Sequence, residues 1–208
     1  MSLPDAPKNF PTPHYFNAEP EVASARRTIE VSLADGTFSI QTDTGVFSHG
    51  RVDAGTKVLL MEAPELPATG NLLDLGCGAG PMAMTMARRS PQSSVWAIDV
   101  NERARQLTRD NATSLLLTNV TVTTPDDVPE ELLFDVIWSN PPIKAGKKEL
   151  HDLLTRWLGR LTPAGVAVLV VNKNLGSDSL AKWLGDLGWN VKRISSRQGY
   201  RVLLVRRS

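Results

Sequence analysis

The residues that could do chemistry begin with a glycine-rich stretch at positions 73–81, Leu-Asp-Leu-Gly-Cys-Gly-Ala-Gly-Pro. Its glycines occupy alternate positions: Gly76, Gly78 and Gly80. Without Cβ atoms the backbone can approach a ligand closely, and the helix expected to follow points its N-terminal N–H groups at the same place. A dinucleotide-binding turn has glycine or alanine where this sequence has Pro81, and Asp74 would repel a diphosphate. Asp74 could accept a hydrogen bond, directly or through water, from a ligand's ammonium group, which favours an amino-acid moiety such as methionine over NAD.

Acidic residues follow the next two predicted strands. Asp99 ends the first of them, where a carboxylate can accept hydrogen bonds from both hydroxyls of a ribose. The other interpretation of Asp99 is a helix N-cap, but Asn101 already suits that role. Asp126 could bind the amino group of an adenine. Asp127 is almost as good a candidate, and both could belong to an ordinary turn beside Pro125.

A rigid polar turn, Ser139-Asn140-Pro141-Pro142, ends another predicted strand. The side-chain carbonyl of Asn140 and the backbone carbonyls of the turn can hold both hydrogens of a planar –NH2 group. That geometry aims the nitrogen lone pair at a donor methyl group. The step needs orientation more than a strong base, because the proton leaves easily once the nitrogen is positive. Alone, the motif is typical of a strand-ending turn; its alignment with the glycines and Asp99 favours catalysis.

Alternating strands and helices must position these motifs. A hairpin around Asp35-Gly36 and a short helix over 53–61 follow an irregular arm at 1–20. The hydrophobic pattern then predicts strands at 71–75, 95–100, 120–123, 134–139 and 166–172, and helices at 81–89, 101–116, 149–161 and 179–187. Two last strands, 191–194 and 200–205, are joined too tightly to be parallel. The sequence therefore predicts an α/β fold with a mostly parallel sheet that ends in an antiparallel hairpin.

The composition indicates one domain with a small appendage in 208 residues. The single cysteine, Cys77, excludes an internal disulfide and fits a reducing compartment. The N-terminus lacks the apolar core of a signal peptide, and the apolar run at 166–171 is too short to span a bilayer, so we expect a cytoplasmic protein without membrane contact.

Charge and motif content narrow the function classes. The net charge is +1, so global charge does not indicate a nucleic-acid binder. Two basic clusters exist, one formed by Lys144, Lys147 and Lys148, the other by six cations and no acids over 191–208. Neither a G-x-S-x-G elbow nor a phosphate-binding P-loop is present. The three histidines, His14, His49 and His151, are scattered along the sequence, so no metal is expected. Cys77 is interpreted as a packing residue.

Several longer segments of the chain resemble those of a known family. The segments DLGCGAGP, VWAIDVN and FDVIWSNPPIKAGKKEL look like those of the small-domain methyltransferases, which include ribosomal RNA guanine-N2 methyltransferases. The likeness extends upstream to GVFS at 45–48 and DAGT at 53–56, and downstream to LVVNKNLGSDSLAKWL and GYRVL. It covers about residues 14–206.

The resemblance implies a Rossmann-like class I methyltransferase with a seven-stranded sheet whose last strand is antiparallel. It implies an N-terminal arm and hairpin extension over 1–60 and a methyltransferase domain over 61–208, with S-adenosylmethionine as cofactor. Expected cofactor contacts are Phe47, Ser48, Asp74, Gly76, Gly78, Gly80, Asp99, Val100, Asp126 and Asn140. Expected catalytic residues are Asn140, Pro141, Pro142 and Ile143, of which Asn140 and Pro141 hold the target amine.

Two departures weaken the assignment of the substrate. Amine methyltransferases of this type commonly carry an aromatic residue where this chain has Ile143, so a stacking contribution of roughly 1–3 kcal/mol is lost. The larger ribosomal enzymes also carry an N-terminal RNA-recognition domain that this sequence does not show, and it resembles a compact single-domain branch.

The leading hypothesis is methylation of guanine N2 in ribosomal RNA, as naked RNA or in a ribosomal subunit. The basic clusters would then contact phosphates, and binding would weaken with salt. A protein glutamine or a small-molecule amine is the main alternative substrate, because Asn140 cannot distinguish one planar –NH2 from another. A non-catalytic cofactor-binding module and an NAD-dependent oxidoreductase are weaker alternatives. The sequence leaves the oligomeric state open.

Overall fold

A computed structural model describes residues 22–208. Its strands are β1 Arg27–Leu33, β2 Gly36–Thr42, β3 Asn71–Leu75, β4 Ser94–Ile98, β5 Val120–Thr123, β6 Phe134–Ser139, β7 Leu161–Asn172, β8 Trp189–Arg197 and β9 Tyr200–Arg207. Its α-helices are α1 Ala54–Glu62, α2 Pro81–Arg89, α3 Glu102–Ser114, α4 Lys147–Leu158 and α5 Ser177–Asp186. The arm predicted at 1–20 lies outside the described residues. None of the helices within 22–208 is long and apolar enough to cross a membrane.

Seven strands form the main sheet, in the order β5-β4-β3-β6-β7-β9-β8. Strands β3 to β7 are parallel, and β9 runs antiparallel between β7 and β8. The predicted sheet with an antiparallel last strand is confirmed. The chain leaves β3 for β4 on one side and later returns to β6 on the other. In open α/β sheets, ligands bind at the carboxyl ends of the strands where the order reverses in this way.

Apolar side chains cover both faces of the sheet. Along β7, Val168 and Val170 belong to the core beneath α1 and α2, whereas Ala167, Leu169 and Val171 belong to the core beneath α4 and α5. A strand buried on both faces must be apolar at successive positions, which is why 166–171 reads as one continuous hydrophobic run. The two cores hold the strand ends in fixed relative positions.

The hairpin β1–β2 packs against the main sheet's helices. Val31, Phe38 and Ile40 join the core beneath α1 and α2. The buried Asn111 of α3 accepts from the Gln41 N–H (2.7 Å) and donates to the carbonyl oxygens of Gln41 (3.0 Å) and Ala79 (2.8 Å). One side chain therefore ties the hairpin edge to the glycine-rich loop. The predicted boundary at residue 60 falls within α1, and the division into two domains stays a prediction.

The predicted element bounds differ most around α4 and β7. The helix expected over 149–161 spans Lys147–Leu158, and Leu161 instead begins β7, where it pairs with Phe134. Its apolar side chain fits the helical spacing, but pairing with β6 buries it equally well, so tertiary contact decides. The last hairpin turns at Gln198 and Gly199, both with positive φ (50° and 80°), as a two-residue turn requires.

Candidate active site

A cavity of about 420 Å³ lies at the carboxyl ends of β3, β4 and β6. That volume is typical of sites for small molecules and cofactors. Its wall includes Phe47, Asp53, Gly76, Gly78, Asp99, Val100, Asn140, Pro141, Pro142 and Ile143. The predicted glycine, acidic and amide motifs thus meet in one place, although not every predicted residue is among them.

The glycine-rich loop presents a smooth backbone to the cavity. The N–H groups of Gly76 and Cys77 both donate to the Ile98 carbonyl at 3.0 Å, and the Gly78 N–H donates to Asp99 Oδ2 at 2.9 Å. These three loop N–H groups are engaged inside the protein, so the loop offers the cavity its smooth glycine surface rather than these donors. Gly76 has a φ of +79°, and a Cβ built on it would meet no atom within 4 Å, so its face is open to the cavity.

Gly80 serves packing between helices. It has a φ of +83°, and a Cβ there would lie 2.9 Å from Cγ2 of Thr108 on α3. It is absent from the cavity wall among the described residues. The structure therefore does not bring Gly80 to the site. The third glycine of the motif instead allows the close approach of α2 to α3.

Asp99 holds the loop and faces the cavity. Besides accepting from Gly78, its carboxylate accepts from the Asn101 N–H through Oδ1 at 2.9 Å. Burial raises the pKa of Asp99, and the hydrogen bonds from the Asn101 and Gly78 N–H groups oppose that rise. Asn101 caps α3, accepting from the Arg103 and Ala104 N–H groups, so the predicted cap is confirmed. The ribose-binding role of Asp99 stays a prediction, as does cofactor contact by the half-exposed Val100.

Asp74 lies behind the loop rather than in the cavity wall. It is completely buried, and its Oδ2 accepts from the Ala83 N–H in the first turn of α2 at 2.8 Å. Burial raises its pKa to about 7, against the Ala83 hydrogen bond and with a further rise from nearby Asp99. Oδ1 has no hydrogen-bond partner within the described chain. Of the two predicted routes to a ligand ammonium group, this position favours the one through water.

The structure does not bring Asp126 or Asp127 into the cavity. The exposed Asp126 forms an ion pair with Arg156 at 2.9 Å, and Asp127 Oδ2 accepts from the Thr124 hydroxyl at 2.7 Å. Only Pro125 from this turn lines the wall. An adenine contact from Asp126 stays a prediction.

Asn140 is held in one orientation by residues from α1. Its Nδ2 donates to Asp53 Oδ1 at 2.7 Å and to the Thr56 hydroxyl oxygen at 3.2 Å. Asp53 Oδ1 already accepts from the backbone N–H groups of Gly55 (2.8 Å) and Thr56 (3.1 Å). A carbonyl oxygen in the same place would set two acceptors against each other, so the –NH2 end of Asn140 must face Asp53. The carbonyl end of Asn140 is left for the cavity.

The N-terminal side of the cavity contains residues that sequence reasoning placed only in part. Phe47 lines the cavity, and Ser48, with a φ of 64°, lines an adjoining recess together with Arg51. The sequence identifies Asp53 as the start of a helix and Tyr200 as part of a stretch that resembles the family. Both residues line the cavity. The one signal that could have found them was their place in stretches that resemble family motifs, at 53–56 and 199–203. Among the described residues, no three His, Cys, Asp or Glu side chains are placed to share a metal ion.

A family model described as "Methyltransferase small domain" matches residues 37–204. The chain belongs to this family. It is therefore an S-adenosylmethionine-dependent methyltransferase.

Three bacterial proteins are similar to this small-domain methyltransferase. The uncharacterized protein YbxB of Bacillus subtilis (strain 168) is 32% identical over 93% of this chain and 98% of its own length. Ribosomal RNA small subunit methyltransferase C of Pseudomonas aeruginosa (strain LESB58) is 33% identical over 92% of this chain, and that of Pseudomonas entomophila (strain L48) is 36% identical over 91%. The match spans only 58% and 57% of those two enzymes.

Solved structures share the fold. The T. thermophilus 16S rRNA N2 G1207 methyltransferase, in complex with AdoMet and guanosine, superposes with a TM-score of 0.74 at 23% identity, over 91% of this chain and 52% of that one. A ribosomal protein L11 methylase from Lactobacillus delbrueckii subsp. bulgaricus gives a TM-score of 0.61 at 18% identity, over 76% and 84% of the two chains. These likenesses establish the seven-stranded methyltransferase fold.

The residues in the cavity fit the cofactor of this methyltransferase. Gly76 and Gly78 allow close approach, Asp99 offers carboxylate acceptors for ribose hydroxyls, and Ile98, Val100 and Pro125 provide an apolar wall that suits a flat base. The bound cofactor would supply an electrophilic methyl group. The protein must then bring a nucleophile beside that methyl group and hold it there.

Proposed function

We propose that this methyltransferase methylates an exocyclic amine, N2 of guanine in ribosomal RNA. The observation that carries the proposal is the orientation of Asn140, whose –NH2 end is engaged by Asp53 and Thr56. Its carbonyl oxygen accepts no hydrogen bond from the described residues and belongs to a side chain that lines the cavity. A free acceptor at that place selects a substrate that donates, as an amine does.

The residues of the turn can do what amine methylation requires. Asn140 Oδ1 and a backbone carbonyl of the rigid 140–142 turn can each accept one hydrogen of a planar –NH2 group, which fixes the plane of the amine. The nitrogen lone pair is then directed out of conjugation with the base. No strong base is required, because the methylated nitrogen carries a positive charge. It readily releases a proton to bulk water or to a water molecule held by a backbone carbonyl. The predicted role of Pro141 and Pro142 is to fix this backbone geometry, and Ile143 could pack against the base.

Exposed cations around the cavity support a polyanionic substrate. Arg51 lines the adjoining recess, Lys57 lies one turn into α1, Lys147 begins α4, and Lys173 follows β7. All four are exposed, and none forms an ion pair within residues 22–208. We name these four residues the rim cations. They could contact phosphates on either side of an inserted base.

The basic C-terminal stretch does not act as one patch with them. Arg197 pairs with Glu62 and Arg201 with Asp178, while Arg207 donates to the carbonyl oxygens of Gly159 and Leu161. Arg206 and Arg207 lie at the far end of β9, about 23 Å along the strand from Tyr200. We therefore propose that the rim cations, rather than the predicted C-terminal stretch, contact the RNA.

The relatives point in the same direction. Enzymes named ribosomal RNA small subunit methyltransferase C are 33–36% identical over about nine-tenths of this chain. Because the chain spans little more than half of their length, their substrate supports the proposal but cannot simply be assigned to this chain. The proposal therefore needs a direct assay of the acceptor.

The assay offers labelled S-adenosylmethionine and the purified protein to total RNA, isolated ribosomal subunits, cell protein and a small-molecule extract, all from cells that lack the gene. We expect label in ribosomal RNA with the wild-type chain and none with Asn140→Ala. Lys192→Ala, on the exposed edge strand β8, is the matched control and should label RNA normally. Label in protein would replace the proposal with a glutamine-type substrate, and label only in the extract would replace it with a small-molecule amine.

A further inference from the structure

We infer that Asp53 is a positioning residue for the transfer step, which acts by fixing the rotation of the Asn140 side-chain amide. This inference rests on the proposed function, because it assigns a task within the same site. Asp53 precedes α1, and Asn140 follows β6, 87 residues later. Asn140 Nδ2 donates to Asp53 Oδ1 at 2.7 Å, which is short for an N–H···O hydrogen bond.

Orientation matters because the two ends of an amide have opposite roles. With Nδ2 toward Asp53, the cavity receives the Oδ1 acceptor; after a rotation of 180° it would receive a donor. A donor cannot hold an amine hydrogen, and it would repel the amine instead. The two orientations are nearly equal in shape, so packing alone does not choose between them. A fixed acceptor beside the amide does choose.

Asp53 is fixed on its own side. The same Oδ1 atom caps α1 through the N–H groups of Gly55 and Thr56. The next residues of α1 are buried, with Val58, Leu59 and Leu60 each at most 1% exposed. The helix is thus seated in the core, its cap holds the carboxylate, and the carboxylate holds Asn140. Thr56, itself 4% exposed, adds a second and weaker acceptor at 3.2 Å.

The capping role suggests a matched pair of variants. Asparagine and serine both cap helices about as well as aspartate, so Asp53→Asn and Asp53→Ser should retain α1 and unfold at similar temperatures. The asparagine variant keeps an oxygen at the Oδ1 position, because the two backbone N–H groups require an acceptor there. The serine hydroxyl is one bond shorter and cannot cap the helix and reach Asn140 together. Only the serine variant should release the amide.

We expect Asp53→Ser to lower kcat by about tenfold to a hundredfold, with the KM for S-adenosylmethionine changed by less than about threefold. Asp53→Asn should stay within about threefold of the wild type in kcat. In the Asn140→Ala background, Asp53→Ser should cause no further loss, because the group it positions is gone. A merely structural role would lower kcat equally in both backgrounds, and that result would overturn the inference.

A readout independent of activity is the side-chain amide signal of Asn140 in the full chain labelled with 15N-asparagine, identified by its absence from Asn140→Ala. In the wild type and in Asp53→Asn, these protons should exchange with water more slowly than those of the exposed Asn190. In Asp53→Ser they should exchange faster than in the wild type, because only the weaker Thr56 acceptor is left. If wild-type protein labels no RNA, the proposed function fails while slowed exchange still supports the positioning; equal exchange in all three proteins overturns it.

Discussion

The two sides of the cavity are built in different ways. On the cofactor side, Gly76, Gly78 and Asp99 come from two consecutive strand–helix units, and their hydrogen bonds link residues about 21 positions apart. On the acceptor side, Asn140 is held by Asp53 and Thr56, more than 80 positions away. The cofactor side is thus a local product of chain order, whereas the acceptor side exists only once the whole sheet has formed.

The difference separates binding from chemistry. Changes on the cofactor side should alter the affinity for S-adenosylmethionine or the packing of the loop. Changes on the acceptor side should leave that affinity nearly intact and lower the rate of transfer.

The largest expected effect is that of Asn140→Ala. Loss of the oriented acceptor should lower kcat by about 10²- to 10³-fold, a scale typical of removing one well-placed polar group from a reaction site. The dissociation constant of S-adenosylmethionine, measured by calorimetry, should change by less than about threefold. An equal loss of affinity and rate would show that the two sides cannot be separated.

The next effect concerns the pH dependence of stability on the cofactor side. The pKa of Asp74 is raised from 3.8 to about 7 by burial, so the folded state binds the proton more tightly than the unfolded state. The stabilisation is fully present below the unfolded pKa and is lost as the pH rises through about 7. Between about pH 5.5 and about pH 8 the free energy of unfolding of the cofactor-free protein should fall by about 2 kcal/mol from this group.

Asp74→Asn is the control for that prediction, since its amide oxygen can still accept from the Ala83 N–H. Denaturant unfolding of both proteins at several pH values measures the difference. The variant should lack the Asp74 part of the slope. Parallel curves for the two proteins would contradict the burial argument.

A smaller effect distinguishes two glycines of the same loop. Alanine at Gly76 points a methyl group into open cavity space, so Gly76→Ala should weaken S-adenosylmethionine binding by about tenfold. Alanine at Gly80 meets Thr108 instead, so Gly80→Ala should lower the unfolding temperature. Both positions have positive φ, and both variants carry that strain, which makes the pair a matched test. Equal loss of affinity in the two variants, at equal stability, would return Gly80 to the cofactor site.

The smallest effect is expected at the rim cations. Lys57→Ala and Lys173→Ala should each lower the slope of log affinity for RNA against log salt by about 1. Lys192→Ala and Arg206→Ala, which remove exposed cations away from the cavity, should leave the slope unchanged. Filter binding of ribosomal RNA at several salt concentrations measures it. A slope that depends on Lys192 and Arg206 instead would move the RNA surface to the β8 edge.

The contrast between the two sides also explains what the sequence could predict. The sheet, the glycine-rich loop, the Asn101 cap and the antiparallel hairpin follow from short-range patterns of apolar residues, glycines and caps. Asp126 is assigned by its place after a predicted strand and Gly80 by its place in the glycine-rich stretch. An ion pair with Arg156 and packing against Thr108 decide where the two residues lie.

The Asp53–Asn140 contact could not be predicted from spacing, because nothing local in the chain links a helix cap to a turn 87 residues later. Each residue also has a sufficient local explanation. Asp53 caps α1, and Asn140 precedes two prolines that end β6. Only the folded sheet shows that one carboxylate oxygen serves both the cap and the amide.

The chemical position of the transferred methyl group tests most directly whether this enzyme methylates an exocyclic amine. Ribosomal RNA labelled by the wild-type chain is digested to nucleosides and analysed by mass spectrometry against synthetic standards. We expect N2-methylguanosine, absent from the Asn140→Ala reaction. A methyl group on a ribose oxygen or a ring carbon would contradict it, since neither atom carries the paired hydrogens that an oriented Asn140 carbonyl is placed to accept.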